Sequence, residues 1–220
     1  MKKFAVIVAA GVGSRMKSVV PKQFILLKGR PVLWYTLNVF LDAYEDLQII
    51  VVLSPEHTAQ GKTIAESTND PERIQITTGG PTRFHSVKNG LQLVEPDSVV
   101  FVHDAVRCLI TPALVQRCYE QAVAHGSAIP AVQATDTIRI DNGNGTQMVD
   151  RNKVYLIQTP QTFHSNILKE AFDQPYSPTF TDEATVVEAT GKRIHLAEGE
   201  NTNMKITFPV DLVIAESLLK

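Results

Sequence analysis

The stretch Phe4–Ala10 (FAVIVAA), which runs directly into Gly11–Met16 (GVGSRM), decides the fold. An unbroken run of β-branched and small apolar residues is typical of a strand buried on both faces of a parallel sheet. A glycine turn at the carboxyl end of such a strand presents backbone N–H groups that can hold phosphate oxygens. Arg15 and Lys22 add two cations beside this turn. The combination predicts a phosphate site suited to a reaction that builds negative charge on phosphorus.

Two commoner types of glycine-rich phosphate loop do not fit these residues. The sequence contains no G-x-x-x-x-G-K-[ST] run, so the turn is not a P-loop. The dinucleotide fingerprint needs a third glycine where Met16 stands. It also needs an acidic residue at the end of the second strand, where Ile49–Leu53 is followed by Ser54. An oxidoreductase built on that fingerprint is therefore disfavoured.

Length and composition indicate one ordinary globular domain. We expect residues 1–220 to form a single domain, because 220 residues suffice for one full core. The net charge of −2 argues against a general nucleic-acid binder. Cys108 and Cys118 match no zinc or redox spacing, which favours reduced thiols. No apolar run approaches the length of a membrane span. We therefore expect a cytoplasmic protein with neither a nucleic-acid nor a membrane partner.

Apolar, β-rich runs alternate with segments of helical spacing along the chain. The predicted strands are Phe4–Ala10, Gln48–Leu53, Ile74–Thr77, Val99–His103, Ala128–Val132 and Val154–Gln158. The predicted helices are Val32–Leu41, Glu56–Thr68, Ser86–Leu93, Pro112–His125 and Pro209–Leu219. This alternation predicts an α/β fold, Rossmann-like, with a mostly parallel sheet flanked by helices on both faces. Ligands of such sheets bind beyond the carboxyl ends of the strands.

One segment departs from this alternation and predicts a β-hairpin. Thr137–Ile140 alternates like a half-exposed strand, Asp141–Gly145 is rich in turn residues, and Thr146–Val149 returns as a second strand. From these residues alone, a surface hairpin is the simplest interpretation.

Several blocks of the sequence together resemble a known family. Ala9-Ala10-Gly11 with Arg15-Met16, followed by Pro21-Lys22-Gln23, resembles the opening of the sugar-phosphate nucleotidyltransferases. Within them the chain is most similar to the cytidylyltransferases of the non-mevalonate isoprenoid pathway. The match continues in the family's order through Gly79–Val87, Val102–Arg107, Asp136-Thr137, Val149–Arg151, Thr159–Phe163, Thr181–Ala184 and Asn203–Thr207. The resemblance implies transfer of the cytidylyl group of CTP to 2-C-methyl-D-erythritol 4-phosphate by direct in-line attack, with release of pyrophosphate.

The resemblance also implies which residues handle the nucleotide. Arg15 and Lys22 would be catalytic, stabilising the five-coordinate phosphorus and the departing pyrophosphate. Asp104 would hold Mg²⁺ or another divalent cation. Pro81 stands where some members have an acidic residue, so base choice would rest on the backbone and Ser86. The implied nucleotide-binding residues are Ala9, Ala10, Gly11, Gly13, Gly79, Gly80, Ser86 and Ala105.

For the acceptor, a polyol phosphate, the resemblance implies a set of hydroxyls and cations. These residues are Arg107, Thr137, Arg151, Thr159, Thr181 and Lys205. The hairpin, within residues 134–153, would be a projecting arm that packs on a second copy in a homodimer. It would carry Thr137 and Arg151 into the partner's active site. Thr202 stands nearest to where some relatives have a second acidic metal ligand.

Other functions remain open at this point. A ribitol 5-phosphate cytidylyltransferase shares the opening loop and the Thr159–Phe163 block, whereas Ala9–Gly11 and the residues around Arg151 favour the methylerythritol type. The Gly79–Val87 block disfavours transfer of a uridylyl or guanylyl group. A more distant alternative is a nucleotide-binding regulator without catalysis, and the presence of both loop cations argues against it.

Overall fold

The fold is built around a mixed, mostly parallel β-sheet whose central strand is the apolar run near the N-terminus. The computed structural model describes residues 1–11, 16, 18 and 20–219. Its strands are β1 (Lys2–Val8), β2 (Leu26–Leu27), β3 (Arg30–Pro31), β4 (Leu47–Leu53), β5 (Ile74–Thr78), β6 (Ser98–Asp104), β7 (Ser127–Gln133), β8 (Ile138–Asp141), β9 (Thr146–Val149), β10 (Tyr155–Ile157), β11 (Gln161–His164) and β12 (Leu196–Glu198). Its helices are α1 (Val32–Ala43), α2 (Thr58–Glu66), α3 (Arg83–Leu91), α4 (Pro112–His125), α5 (Ser165–Phe172), α6 (Glu183–Glu188) and α7 (Pro209–Leu218).

The strand order of the main sheet brings three strand ends together. The order is β10-β7-β11-β6-β1-β4-β5, and β12 pairs in parallel with β7. β1 runs parallel to both neighbours, with Val8 level with Val52 of β4 and Asp104 of β6. β11 lies antiparallel between β6 and β7. The expected Rossmann-like, mostly parallel sheet is confirmed, and its central carboxyl ends form one edge.

Both faces of the sheet are covered, which explains why the central strands are apolar throughout. Alternate residues of β1 point to opposite faces. Ala5 and Ile7 pack in one buried cluster with side chains of α1 and α4. Phe4 and Val6 pack in another with side chains of α3, α5 and α6. Each fully buried aliphatic side chain stabilises the fold by about 1.5–3 kcal/mol.

Helix α3 approaches the sheet unusually closely because Gly90 has no side chain. A Cβ at Gly90 would lie 2.6 Å from Cγ1 of Val6 and 3.0 Å from Cγ2 of Val52. This close packing fixes the height of α3 above β1 and β4. It thereby fixes its first turn, which begins at Arg83 beside the carboxyl edge of the sheet.

Most predicted elements are present, with boundaries shifted by a few residues. β1 ends at Val8, although Ala9 N still donates to Val52 O of β4 at 2.8 Å. The predicted strand at Val154–Gln158 is the short, exposed, antiparallel β10. The elements that were not predicted are the two-residue strands β2 and β3, the strands β11 and β12, and the helices α5 and α6. β11 was not predicted because most of its residues, Gln161–His164, are polar. Gln161, Thr162 and Phe163 are nevertheless buried in the fold.

The predicted hairpin is present as a two-stranded sheet of its own. β8 pairs with β9 from Ile138 opposite Val149 to Asp141 opposite Thr146. Arg139 Nε donates a hydrogen bond of 2.6 Å to Thr146 Oγ1 across the strands.

Among the described residues, no helix is long and apolar enough to cross a bilayer.

His103 gives the fold a titratable group in its interior. The side chain lies in β6 with no exposed surface, and its ring meets the edge of Phe40 at 5.0 Å between centroids. Burial lowers the pKa of His103 to about 3. The imidazole is therefore neutral throughout the physiological pH range.

We expect acidification to destabilise the fold through His103. An unfolded histidine binds a proton near pH 6.5, at about its ordinary pKa, whereas folded His103 does so only near its folded pKa of about 3. The free energy of unfolding should therefore fall, as pH drops below about 6.5, by up to about 1.4 kcal/mol per pH unit. Urea denaturation at pH 7, 6 and 5 measures this slope above the ordinary pKa range of exposed carboxylates. The variant His103→Asn should show a slope smaller by about one proton; equal slopes would contradict the assignment.

Candidate active site

A cavity of about 420 Å³ opens at the carboxyl edge of β1 and β6. It unites most of the predicted nucleotide-binding residues: Ala9, Ala10, Gly11, Gly80, Ser86 and Ala105. Three predicted charged residues, Lys22, Asp104 and Lys205, lie in the same wall. Gly13 and Arg15, also predicted for this site, lie outside the described residues.

Asp104, the last residue of β6, is the electrostatic centre of the described part of this cavity. Its carboxylate pairs with Lys205 Nζ at 2.8 Å, Arg83 Nη2 at 3.3 Å and Arg107 Nε at 3.7 Å. Burial alone would raise the pKa of Asp104, but the charges of Arg83 and Lys205 outweigh it and hold the pKa well below its usual range. The carboxylate is therefore ionised, and it is met by Arg83 and Lys205 from other parts of the chain and by Arg107 three residues further on.

Arg83 is held in place from behind by a second, fully buried carboxylate. Its guanidinium pairs with both oxygens of Glu183, whose side chain has no exposed surface. Burial would lower the pKa of Arg83, but Glu183 and Asp104 together raise it. Arg83 is therefore a fixed, permanently charged group in the cavity wall.

Helix α6 brings Glu183 to this position because its first turn is anchored to β11. The Asp182 side chain accepts a hydrogen bond from Thr185 N at 2.9 Å and caps the helix. Gln161 of β11 donates to Asp182 Oδ2 at 2.8 Å and accepts from Ala184 N at 2.7 Å. Both ends of the glutamine amide thus fix the helix terminus that carries Glu183.

The loop before α3 is folded tightly against the first glycine turn. A Cβ on Gly79 would lie 2.7 Å from both Ala10 Cβ and Ser86 Oγ, so only glycine permits this approach. Gly79 N donates to Leu53 O at 2.7 Å. Ser86 Oγ accepts from Gly80 N at 3.1 Å and donates to Thr82 O at 3.0 Å. Ser86 therefore shapes the loop as well as lining the cavity, and Gly79 supports the wall from behind.

Thr159, predicted to contact the acceptor, is buried directly behind Asp104. His103 Nε2 faces the carbonyl of Arg107 at 3.3 Å, and a carbonyl only accepts, so Nε2 carries the proton. Nδ1 must then accept the proton of the Thr159 hydroxyl at 2.9 Å. The same hydroxyl oxygen accepts from Asp104 N at 3.1 Å. This chain of hydrogen bonds fixes the backbone at Asp104. It also uses the one proton of the Thr159 hydroxyl group.

Arg107, predicted to bind the acceptor phosphate, also holds the segment that carries Lys205. Its Nη1 donates to Asn203 O at 2.8 Å. Asn203 is fully buried and donates from Nδ2 to Thr159 O at 2.8 Å. The segment before α7 is therefore tied to the end of β6, which places Lys205 against Asp104.

Three predicted acceptor residues lie apart from this cluster. Thr137, Arg151 and Thr181 are exposed, and within the described part of one chain they do not line the cavity. Arg151 lies at the base of the hairpin and donates to Thr135 O at 2.9 Å. Five residues of the site were not predicted from the sequence: Gln23, Arg83, His103, Glu183 and Asn203. Each lies in one of the blocks that resemble the family. Its hydrogen-bonding partner, however, lies elsewhere in the sequence, so no local pattern revealed its role.

The described residues suit a magnesium ion that is bound together with phosphates. They contain no cluster of three or more His, Cys, Asp and Glu side chains able to hold a metal by themselves. Asp104 supplies one carboxylate in the cavity wall. Mg²⁺ commonly takes only one or two carboxylates and completes its shell with water and phosphate oxygens. One carboxylate in the cavity wall is therefore compatible with a metal that takes its other ligands from phosphates and water.

Comparison with known proteins shows the family of this chain. The family model IspD, 2-C-methyl-D-erythritol 4-phosphate cytidylyltransferase, matches residues 4–220. A curated relative of that name from Bacteroides thetaiotaomicron is 46% identical over 219 residues, covering 100% of both chains.

Solved structures are similar as well. The 4-diphosphocytidyl-2C-methyl-D-erythritol synthase of Anaerococcus prevotii is 27% identical with a TM-score of 0.84, covering 98% of this chain and 95% of that one. The bifunctional IspDF of Campylobacter jejuni is 31% identical with a TM-score of 0.83, covering 97% of this chain. This chain spans only 54% of that longer relative. The chain therefore belongs to the IspD family of 2-C-methyl-D-erythritol 4-phosphate cytidylyltransferases.

Proposed function

We propose that this protein transfers the cytidylyl group of CTP to 2-C-methyl-D-erythritol 4-phosphate and releases pyrophosphate. The observation that carries the proposal is the convergence of Arg83, Arg107 and Lys205 on Asp104 beside a glycine turn. Two strongly anionic reactants repel each other until cations offset their charge. This cavity concentrates cations at the place where a parallel sheet binds ligands.

In this proposal the cavity binds CTP through both loops. The backbone of Ala9–Gly11 receives the phosphates, and the Gly80–Ser86 wall receives the base. Lys22 stabilises the charge that develops on the α-phosphorus and on the departing pyrophosphate. Arg15 shares this role by prediction from the sequence. The residues position and neutralise, and the acceptor phosphate attacks directly without a covalent enzyme intermediate.

We assign the acceptor phosphate to Lys205 and Arg107. The side chain of Lys205 is 37% exposed, against 27% for Arg83 and 12% for Arg107, so of the three cations around Asp104 it is the most available to a second ligand. Mg²⁺, held by Asp104 and the nucleotide, would neutralise phosphate charge as a Lewis acid. A ribitol phosphate acceptor is disfavoured, because the family that matches the whole length of the chain acts on the methylerythritol compound.

We further propose that the arm, residues 134–153, completes the acceptor site of a second copy. Ile140 and Met148 on the hairpin are 57% and 65% exposed. Tyr155 and Leu156 of the neighbouring β10 add further exposed apolar surface. Ile140 and Met148 lie on opposite faces of the hairpin, because Met148 pairs with Arg139 and Ile140 with Gln147. Both faces of the arm therefore offer an exposed apolar side chain to a second copy, and Arg151 follows its second strand. We place the homodimer in the cytoplasm, where the unpaired thiols of Cys108 and Cys118 would stay reduced.

The first test is pyrophosphate release from CTP and Mg²⁺. We expect release with 2-C-methyl-D-erythritol 4-phosphate, none with ribitol 5-phosphate, and loss of activity when EDTA removes the metal. Release with ribitol 5-phosphate alone would show that the acceptor is misassigned. Absence of release with both acceptors would contradict the proposed reaction.

The variant Lys22→Ala should lower kcat by about 10²–10³-fold, because it removes a cation that stabilises transition-state charge. Lys22 Nζ also donates to Ile206 O at 2.8 Å, so the thermal midpoint must be measured alongside the rate. Lys62→Ala is the matched control, since Lys62 is an exposed lysine of α2. A near-normal rate in folded Lys22→Ala would refute the assigned role.

Mixed dimers test whether Arg151 works across the interface. Lys22→Ala and Arg151→Ala should each be poorly active at low acceptor concentration. An equal mixture, exchanged between subunits, should recover roughly a quarter of wild-type activity, because one site of each mixed dimer is intact. Arg139→Ala, on the same hairpin, controls for damage to the arm. If Arg151 acts within its own chain, the mixture will recover nothing.

A further inference from the structure

Gln23 makes hydrogen bonds to which the proposed reaction gives no role. It lies in the short 3₁₀ turn Lys22–Phe24 and is 2% exposed. Its Nε2 donates to Ala9 O at 2.7 Å and to Gly11 O at 3.3 Å. One side-chain amide therefore holds two carbonyls of the loop that follows β1.

The position of this turn is itself firmly set. Phe24 is 4% exposed and packs in the buried cluster that includes Ala9 and Leu33. Phe24 N donates to Pro21 O at 2.9 Å, which closes the turn. On the other side of Gln23, Lys22 reaches Ile206 O. The amide of Gln23 is therefore presented from a rigid support.

The two hydrogen bonds determine which side of the loop backbone faces the cavity. In a trans peptide the C=O and the N–H point in opposite directions. Because Ala9 C=O turns towards Gln23, the N–H of Ala10 in the same peptide turns the other way. Ala10 and Gly11 line the cavity. A carbonyl oxygen turned into the cavity would repel a phosphate, whereas an N–H attracts it.

We propose that Gln23 is a positioning residue for the nucleotide phosphates, an inference that rests on the proposed use of CTP. Its amide holds the carbonyls of Ala9 and Gly11 away from the cavity and keeps the Ala10 N–H directed at the phosphates. The task requires two N–H donors on one uncharged group. An ionised carboxylate of the same shape has no donor and would repel both carbonyls.

The chain offers a matched control for this role. Gln174 also donates from Nε2 to two backbone carbonyls, Ala171 O at 2.7 Å and Val186 O at 2.8 Å. It joins α5 to α6, and among the described residues it is not part of the cavity wall. Removing either amide costs two similar hydrogen bonds, but only Gln23 holds the phosphate loop.

The experiment compares Gln23→Met, Gln23→Glu and Gln174→Met with the wild type. The dissociation constant of CTP is measured by calorimetry, and that of cytidine, which lacks phosphates, by NMR titration. We expect CTP to bind about tenfold more weakly to Gln23→Met and weaker still to Gln23→Glu. Cytidine binding should change less than about twofold, since the base wall is intact. Gln174→Met should lower the thermal midpoint by a few degrees without changing the affinity for CTP.

Two results would overturn the inference while leaving the proposed function intact. One is an unchanged CTP affinity in both Gln23 variants. The other is an equal loss of CTP and cytidine affinity, which would indicate general damage. If the wild type fails to bind CTP, the proposed function fails, and the inference fails with it.

Hydrogen exchange in the wild type gives a second test that needs no variant. Exchange of the Ala10 amide should slow when CTP binds. The Ala9 amide, which donates to Val52 O at 2.8 Å, should be protected with and without CTP. An Ala10 amide whose exchange ignores CTP would overturn the inference even if the Gln23 variants do not fold.

Discussion

The charged cavity depends on one carboxylate, that of Asp104, at the end of a fully buried strand. Arg83, Arg107 and Lys205 come from separate parts of the chain and all reach it. Brought together without an anion, these cations would repel one another. Asp104 offsets that repulsion and so lets the cations stand in place before any phosphate arrives. Charges that are already in place do not have to reorganise during reaction, which is the basis of electrostatic catalysis.

A charged group in so buried a place is costly, and the surrounding structure offsets the cost. Arg83 is itself neutralised by Glu183, so part of the positive charge around Asp104 is already compensated from behind. The neutral His103 adds no charge below the site while ordering Thr159 and the backbone of Asp104. Ion pairs of this kind stabilise a fold weakly because desolvation opposes the attraction. Their arrangement here is better explained by the precise placement of charge at the cavity.

The elements that could be predicted from the sequence are those marked by a pattern of neighbouring residues. β1 and β4 were predicted correctly because both faces of each strand are apolar. A charged site was expected at Asp104 because it follows such a strand, whereas most of the glycine turn lies outside the described residues. β11 was not predicted because Gln161 is a polar residue. In the fold it is buried, and its amide is hydrogen-bonded to Asp182 and Ala184. The pair of Arg83 and Glu183 spans 100 positions, so neither residue reveals the other. The hydrogen bond between the Thr159 hydroxyl and His103 could not be predicted for the same reason, because the two residues lie 56 positions apart.

The turn that carries Lys22 and Gln23 shows how charge and direction are divided between neighbouring residues. Lys22 brings a cation to the cavity wall, and Gln23 decides which way the facing backbone points. A cation attracts phosphate from any angle, whereas a peptide N–H does so only along its own axis. The lysine therefore supplies strength and the glutamine supplies orientation. Orientation matters most here, because in-line attack succeeds only if the phosphorus is held with its leaving group opposite the acceptor.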